Sequence, residues 1–184
     1  MPKIIFLNAL EHIDKQISRI EELMLSIGII AMAINSIIGV ISRFVLNHSI
    51  PFTEELNRAF IIIVTFAGIS FAARYGRHIR MSAIYDTFPP WLKKKFMILI
   101  SLTTAFFMFF LCYYSIEYIV DIQSTGRVMP ALRIPVYWLY LWAPVGFLFT
   151  GIQYALTALK NLREKEVYLS TVVLDGYDEE NLEI

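Results

Sequence analysis

Glu54 and Glu55 stand side by side, with Arg58 a helical turn beyond, at the head of a stretch (Ala59–Ala73) that carries no charge in 15 residues. Two carboxylates and a guanidinium at this spacing can serve a helix start, because Thr53 suits an N-cap and acidic side chains suit the positive end of the helix dipole. They can pair, since Glu54 precedes Arg58 by four positions, the favourable order on a helix. They can also be reserved for another subunit. In water such a pair contributes only ~0.3–0.5 kcal/mol. At the edge of hydrocarbon the balance changes, because a mid-bilayer charge costs at least ~2.5–3.5 kcal/mol. Lengths and charges leave the self-satisfied helix start and the buried subunit contact equally open.

Nothing else in the chain groups as catalysis or metal binding requires. His12, His48 and His78 are scattered. No His-Glu-x-x-His, Ser/His/Asp or Cys/His arrangement occurs. Cys112 is the one cysteine and lies in an apolar run, where it behaves as a small hydrophobe, so a disulfide framework is ruled out. No enzyme, cofactor or metal is expected, and a net charge of zero gives no reason to expect nucleic acid.

The elements that position these residues follow from hydropathy. Of the 184 residues 57% are hydrophobic and 17% charged, against about 25% charged in soluble domains. Uncharged runs cover Leu23–Ser42 (20 residues), Phe96–Ile116 (21) and Ile134–Leu159 (26), and a spanning helix needs roughly 20. The Ala59–Ala73 run reaches only ~22 Å at helical rise, but full length if it starts at Phe52, which sets Glu54, Glu55 and Arg58 at the interface. The expected fold is an all-α membrane protein of four transmembrane helices, since only helices satisfy their own backbone over runs like these.

Twelve of the sixteen Lys and Arg fall before the first span, between spans two and three, or after the fourth. Arg43, Arg58, Arg127 and Arg133 fall on the other side, so both termini are expected in the cytoplasm. Residues 1–22 show Phe6, Leu10, Ile13, Ile17 and Ile20 at helical spacing and read as an amphipathic helix on the membrane surface, or else as an extension of the first span. Residues 23–160 are expected to form the membrane domain and 161–184 an acidic cytoplasmic tail, mobile over Val167–Ile184. The loop after span two carries Arg74, Arg77, His78, Arg80, Trp91, Lys93, Lys94 and Lys95, which read as orientation signals and lipid-headgroup contacts. Pro135 is expected near the start of the fourth span, and Pro144 to kink it.

The stretch "SRFVLNHSIPFTEELNRAFIIIVTFAGISFAARYGRH" resembles the DctQ-like small membrane subunit of TRAP (tripartite ATP-independent periplasmic) transporters. Arg43 matches that family's Arg at the end of the first span. Phe52, Glu54 and Glu55 match its aromatic-x-Glu-Glu element, and Arg74 and His78 its Arg and His four residues apart. "GRVMPALRIPVYWLYLWAPVG" is similar to its Pro-Ala-Leu-x-x-Pro stretch before the fourth span. Two features depart: Phe52 stands where Trp is frequent, and Ser82 where an acid commonly follows.

The resemblance implies an accessory subunit of the bacterial inner membrane, neither an enzyme nor itself the substrate carrier. It implies a large multi-span partner holding substrate and sodium sites, and a periplasmic binding protein that delivers an organic acid. On this reading Glu54, Glu55, Arg58, Phe52, Trp138 and Trp142 contact the large subunit, and Arg43, Arg127 and Arg133 meet the binding protein. Snorkelling to lipid phosphate is the alternative for those three arginines. The competing function is a self-contained homo-oligomeric carrier or channel. The weakly polar content of the spans argues against it.

Overall fold

The computed structural model describes residues 2–45, 47–48, 50–75, 88–164, 167–171 and 173, with side chains from 16 onward, Pro90 excepted. Five helices follow in order: α1 (Pro2–Val45), α2 (Pro51–Arg74), α3 (Pro90–Ser124), α4 (Tyr137–Tyr140) and α5 (Trp142–Arg163). Four segments are long and apolar enough to cross a membrane: Gln16–Val45, Pro51–Arg74, Trp91–Ser124 and Tyr137–Arg163. The four spans expected from uncharged runs are these four.

Three local expectations are resolved or revised. Of the two readings of residues 1–22, the extension of the first span is the one present, because α1 runs unbroken for 44 residues. That is about 66 Å at helical rise, twice a hydrocarbon core. No proline interrupts it after Pro2, so nothing forces the backbone out of helix. Second, α2 starts before Thr53, with Ile50 at the N-cap and Pro51 in the first turn. Proline suits that position because its missing N–H would have had no helical acceptor. Thr53 is buried instead and its Oγ1 donates to the Ile50 carbonyl at 2.7 Å. Third, the segment after α5 is not all free tail: Ser170 is buried and residues 167–171 pack back on the helix.

The discontinuity expected from Pro144 is there. The fourth span is helical over 137–140, turns at Leu141 and resumes at Trp142. Pro144 lacks the N–H that would bond the Tyr140 carbonyl, so the ladder opens one turn before the proline.

The helices form a row, not a closed bundle. α1 packs on α2, α2 on α5, and α5 on α3. The connections 46–50 and 125–136 share one end, called upper below. On α1 the buried positions Glu21, Gly28, Asn35 and Ser42 repeat every seven residues and face α2, the seam spacing of coiled-coil packing. These are small or polar residues, which suits a bilayer, where helices associate through close approach and hydrogen bonds. Asn35 Nδ2 donates to the Thr53 carbonyl (2.8 Å) and to Asn57 Oδ1 (2.7 Å). Ser42 Oγ donates to the His48 carbonyl at 2.7 Å. At the α2–α5 crossing, a Cβ on Gly146 would stand 2.8 Å from both the Cβ and the carbonyl oxygen of Phe66.

Gly146→Ala therefore has to push α2 and α5 apart, and we expect the purified protein to lose several degrees of melting temperature in detergent. Gly68→Ala, whose Cβ would meet only Leu25 Cδ2 at an ordinary 3.5 Å, serves as control and is expected to melt unchanged.

Candidate functional site

The acidic corner resolves into three different fates. Glu55 turns inward to the 125–136 connection. There the Arg133 N–H donates to the Met129 carbonyl at 2.9 Å and Arg133 adopts φ 54°, closing a single helical turn over Pro130, Ala131 and Leu132. A lone turn leaves its first N–H groups without acceptors. Pro130 has none to offer. Those of Ala131 and Leu132 both donate to the Glu55 carboxylate, at 3.0 and 3.1 Å from Ala131 and 2.8 Å from Leu132. Glu55 thus caps from another helix a turn that cannot cap itself, and successive N–H groups of this kind favour an anion. The Pro-Ala-Leu stretch and the Glu-Glu element are two halves of one intrachain clasp. Around it Met129 N–H donates to the Ile134 carbonyl at 2.9 Å, and Val128 pairs with Pro135.

Glu54 does not pair with Arg58. Its Oε1 lies 3.6 Å from Arg43 Nη2, bridging α1 and α2 at the upper corner, with the two side chains 63% (Arg43) and 73% (Glu54) exposed. Exposed pairs of this sort contribute ~0–1 kcal/mol. Arg58 is exposed on α2 and has no ion pair among the described residues. Phe52, Trp138 and Trp142 are exposed as well. Trp142 helps line a groove of about 160 Å³ across α2, with Ile20 and Met24 of α1 on one side and Val145 and Phe149 of α5 on the other. Arg127 and Arg133 are exposed on the upper connection.

At the lower end Arg74 is not where a lipid-headgroup contact would be. It is 2% exposed, its Nη2 lies 3.4 Å from Glu21 Oε2, and Ser70 Oγ donates to Glu21 Oε1 at 2.6 Å. Ser18 Oγ and the Tyr75 hydroxyl share a hydrogen bond at 3.2 Å nearby. The reason is seam geometry: Arg74 and Ser70 lie one turn apart on the α2 face that meets Glu21. Lys94 donates to the Glu164 carbonyl, and Lys95 sits 5.2 Å over the Trp91 ring. Arg77, His78 and Arg80 lie outside the described residues.

Residue-by-residue reading missed Glu21, Asn35 and the buried polar stripe Thr150, Gln153, Thr157 and Asn161 on α5. Both sets were signalled by spacing, seven residues on α1 and three to four on α5.

Two outcomes are expected. Glu55→Ala should leave the Ala131 and Leu132 N–H groups unpaired and speed tryptic cleavage at Arg127 and Arg133, while Glu54→Ala leaves it unchanged; gel densitometry reads both. Removing either partner of a buried ion pair costs about 3–5 kcal/mol. Arg74→Leu and Glu21→Leu should therefore each destabilise the detergent-purified protein strongly, whereas the double variant melts near the parent temperature.

Residues 30–164 match the family described as "Tripartite ATP-independent periplasmic transporters, DctQ component". The chain is also 52% identical over 172 residues to the "Ectoine TRAP transporter small permease protein TeaB" of Halomonas elongata, covering 94% of this chain and 89% of that protein. With a match over most of its length and a relative at this identity, the four-span chain with its Glu55 clasp belongs to the DctQ component family, the small permease subunits of TRAP transporters.

Proposed function

We propose that this subunit braces a large multi-span TRAP partner in the bacterial inner membrane, with both termini cytoplasmic, and helps a periplasmic binding protein dock. The observation that carries the brace is the open row. In α1 only 11% of the residues in the most apolar window are buried within the chain, and in the most enclosed span, the fourth, 33%. Such a row offers two broad faces, and its outward-turned groups supply contacts that lipid does not. Arg58 at the upper edge of α2 is the ionic contact, and Phe52, Trp138 and Trp142 are the aromatic ones. Aromatic and Arg side chains are the groups that most often dominate interface energies.

Glu54 and Glu55 contribute to this contact at one remove, as the residues that hold the α1–α2 corner and the 125–136 connection in place. Arg43, Arg127 and Arg133 share the upper end and are exposed there, which suits docking of an acidic surface on the binding protein. The transport reaction we assign to the assembly is sodium-coupled uptake of a small organic acid. The name of the Halomonas relative makes ectoine the first substrate to try.

The test is purification of the tagged chain from native membranes with mass spectrometry of what accompanies it. One much larger multi-span protein in stoichiometric amount is expected, and Arg58→Glu should reduce its recovery. A clean homo-oligomer that alone gives flux in liposomes would overturn the brace in favour of a self-contained carrier. For docking, Arg43→Glu combined with Arg133→Glu is expected to lower uptake several-fold at limiting binding protein. Unchanged uptake would remove the docking role.

A further inference from the structure

α2 and α5 run in the same direction side by side, touching at Phe66 and Gly146. Counting equal rise from that contact, Arg74 falls level with about Tyr154, so the remaining turns of α5 have no α2 beside them. From the last turn beside α2 downward, α5 carries a buried polar face: Gln153, level with Ala73, and Thr157 and Asn161 below it are respectively 4, 2 and 0% exposed. Amide and hydroxyl groups left against acyl chains would go unsatisfied.

Thr157 Oγ1 is satisfied within α5, donating to the Gln153 carbonyl at 2.9 Å, and the amides of Gln153 and Asn161 are met by the chain's own continuation. Asn161 Nδ2 donates to the Tyr168 carbonyl (2.7 Å) and Asn161 Oδ1 accepts from the Tyr168 N–H (2.8 Å). Thr171 Oγ1 bonds Gln153 Oε1 at 3.0 Å, and Lys160 Nζ donates to the Thr171 carbonyl at 2.9 Å. Lys160 also lies 3.9 Å over the Tyr168 ring. Ser170 is 1% exposed, and its Oγ accepts from the Val173 N–H at 3.0 Å. Gln153 is ten residues above the end of α5, about 15 Å along its axis. The segment therefore turns back up the helix and does not leave it.

We propose that residues 167–171 are a re-entrant strap that covers the polar lower face of α5 in place of α2, and that this face is closed to the large subunit. The strap is a satisfied polar unit fitted to one helix face, with reciprocal amide bonds at Asn161 and a further side-chain bond three turns above the helix end. It makes the folding of the fourth span depend on residues beyond it. It also narrows the surface left for a partner to the outward edges of the row.

The test uses Thr157→Cys in a Cys112→Ser background, labelled with a small maleimide both in the complex as purified from membranes and in the chain alone in mild detergent. Protection is expected in both samples, and a second substitution, Asn161→Ala, which removes the reciprocal bonds, is expected to raise the labelling rate about tenfold by freeing the strap. Protection in the complex that vanishes in the chain alone would show that a partner covers this face, and would overturn the proposal. So would equal labelling with and without Asn161→Ala. Because loss of fold could also raise labelling, Ser170→Cys and the exposed Glu164→Cys are compared in the otherwise intact chain. Ser170→Cys is expected to stay protected while Glu164→Cys reacts, and equal reaction at the two would equally overturn the strap.

Discussion

Apolar side chains gain nothing by leaving lipid for one another, so the polar and small groups on the seams decide how this chain packs. Each row contact carries such a group. α1 is held to α2 by Glu21 on Ser70 and Arg74 and by Asn35 on Thr53 and Asn57, and Ser42 at its upper end holds the His48 carbonyl. Gly28 supplies the close approach between them, since a Cβ there would lie 2.6 Å from Val64 Cγ2. Ile and Leu fill the turns between these stations, but they would pack as well against acyl chains and cannot choose a partner or a register. An Asn at a seam position does both, because its amide has few places where it is satisfied.

The same constraint explains what was legible in the sequence. The four spans were readable because length and absence of charge bear on the bilayer directly, with no reference to a neighbour. The break at Leu141 was readable because Pro144 acts on its own helix. The fate of Glu55 was not, for its acceptor geometry is completed by N–H groups 76 and 77 residues away in a loop whose one helical turn no periodicity announces. Arg74 was read from its position at the end of a span, as a group with a free path to water. Its burial depends on Glu21, which a reading by charge had placed outside the membrane domain. The heptad of Glu21, Gly28, Asn35 and Ser42 was visible throughout, but four unlike residue types disguise one seam.

The motif residues divide between the inside and the outside of the chain. Glu55, Arg74 and the Pro-Ala-Leu turn are engaged within the chain, whereas Arg43, Phe52 and Glu54 are exposed. The engaged ones hold the corner and the lower seam in place. Arg58, Trp138 and the phenylalanines and tyrosines along α3 lie outside those motifs and are exposed.

The row also bears on how a chain of this kind could serve as the proposed brace. In water an end helix with one packed side would expose a face that drives aggregation. In a bilayer that face is solvated by lipid at no cost, so a two-neighbour or even one-neighbour helix is stable so long as its few polar groups are satisfied. Satisfying them inside the chain, as the Glu55 clasp and the Glu21–Arg74 pair do, leaves wide apolar surfaces that a larger protein can meet without first breaking any polar bond. On the proposed bracing role, selectivity for that larger protein would rest on the small number of polar groups turned outward. Arg58 is the plainest of these, because Glu54, the carboxylate best placed on its own helix to neutralise it, is already engaged by Arg43.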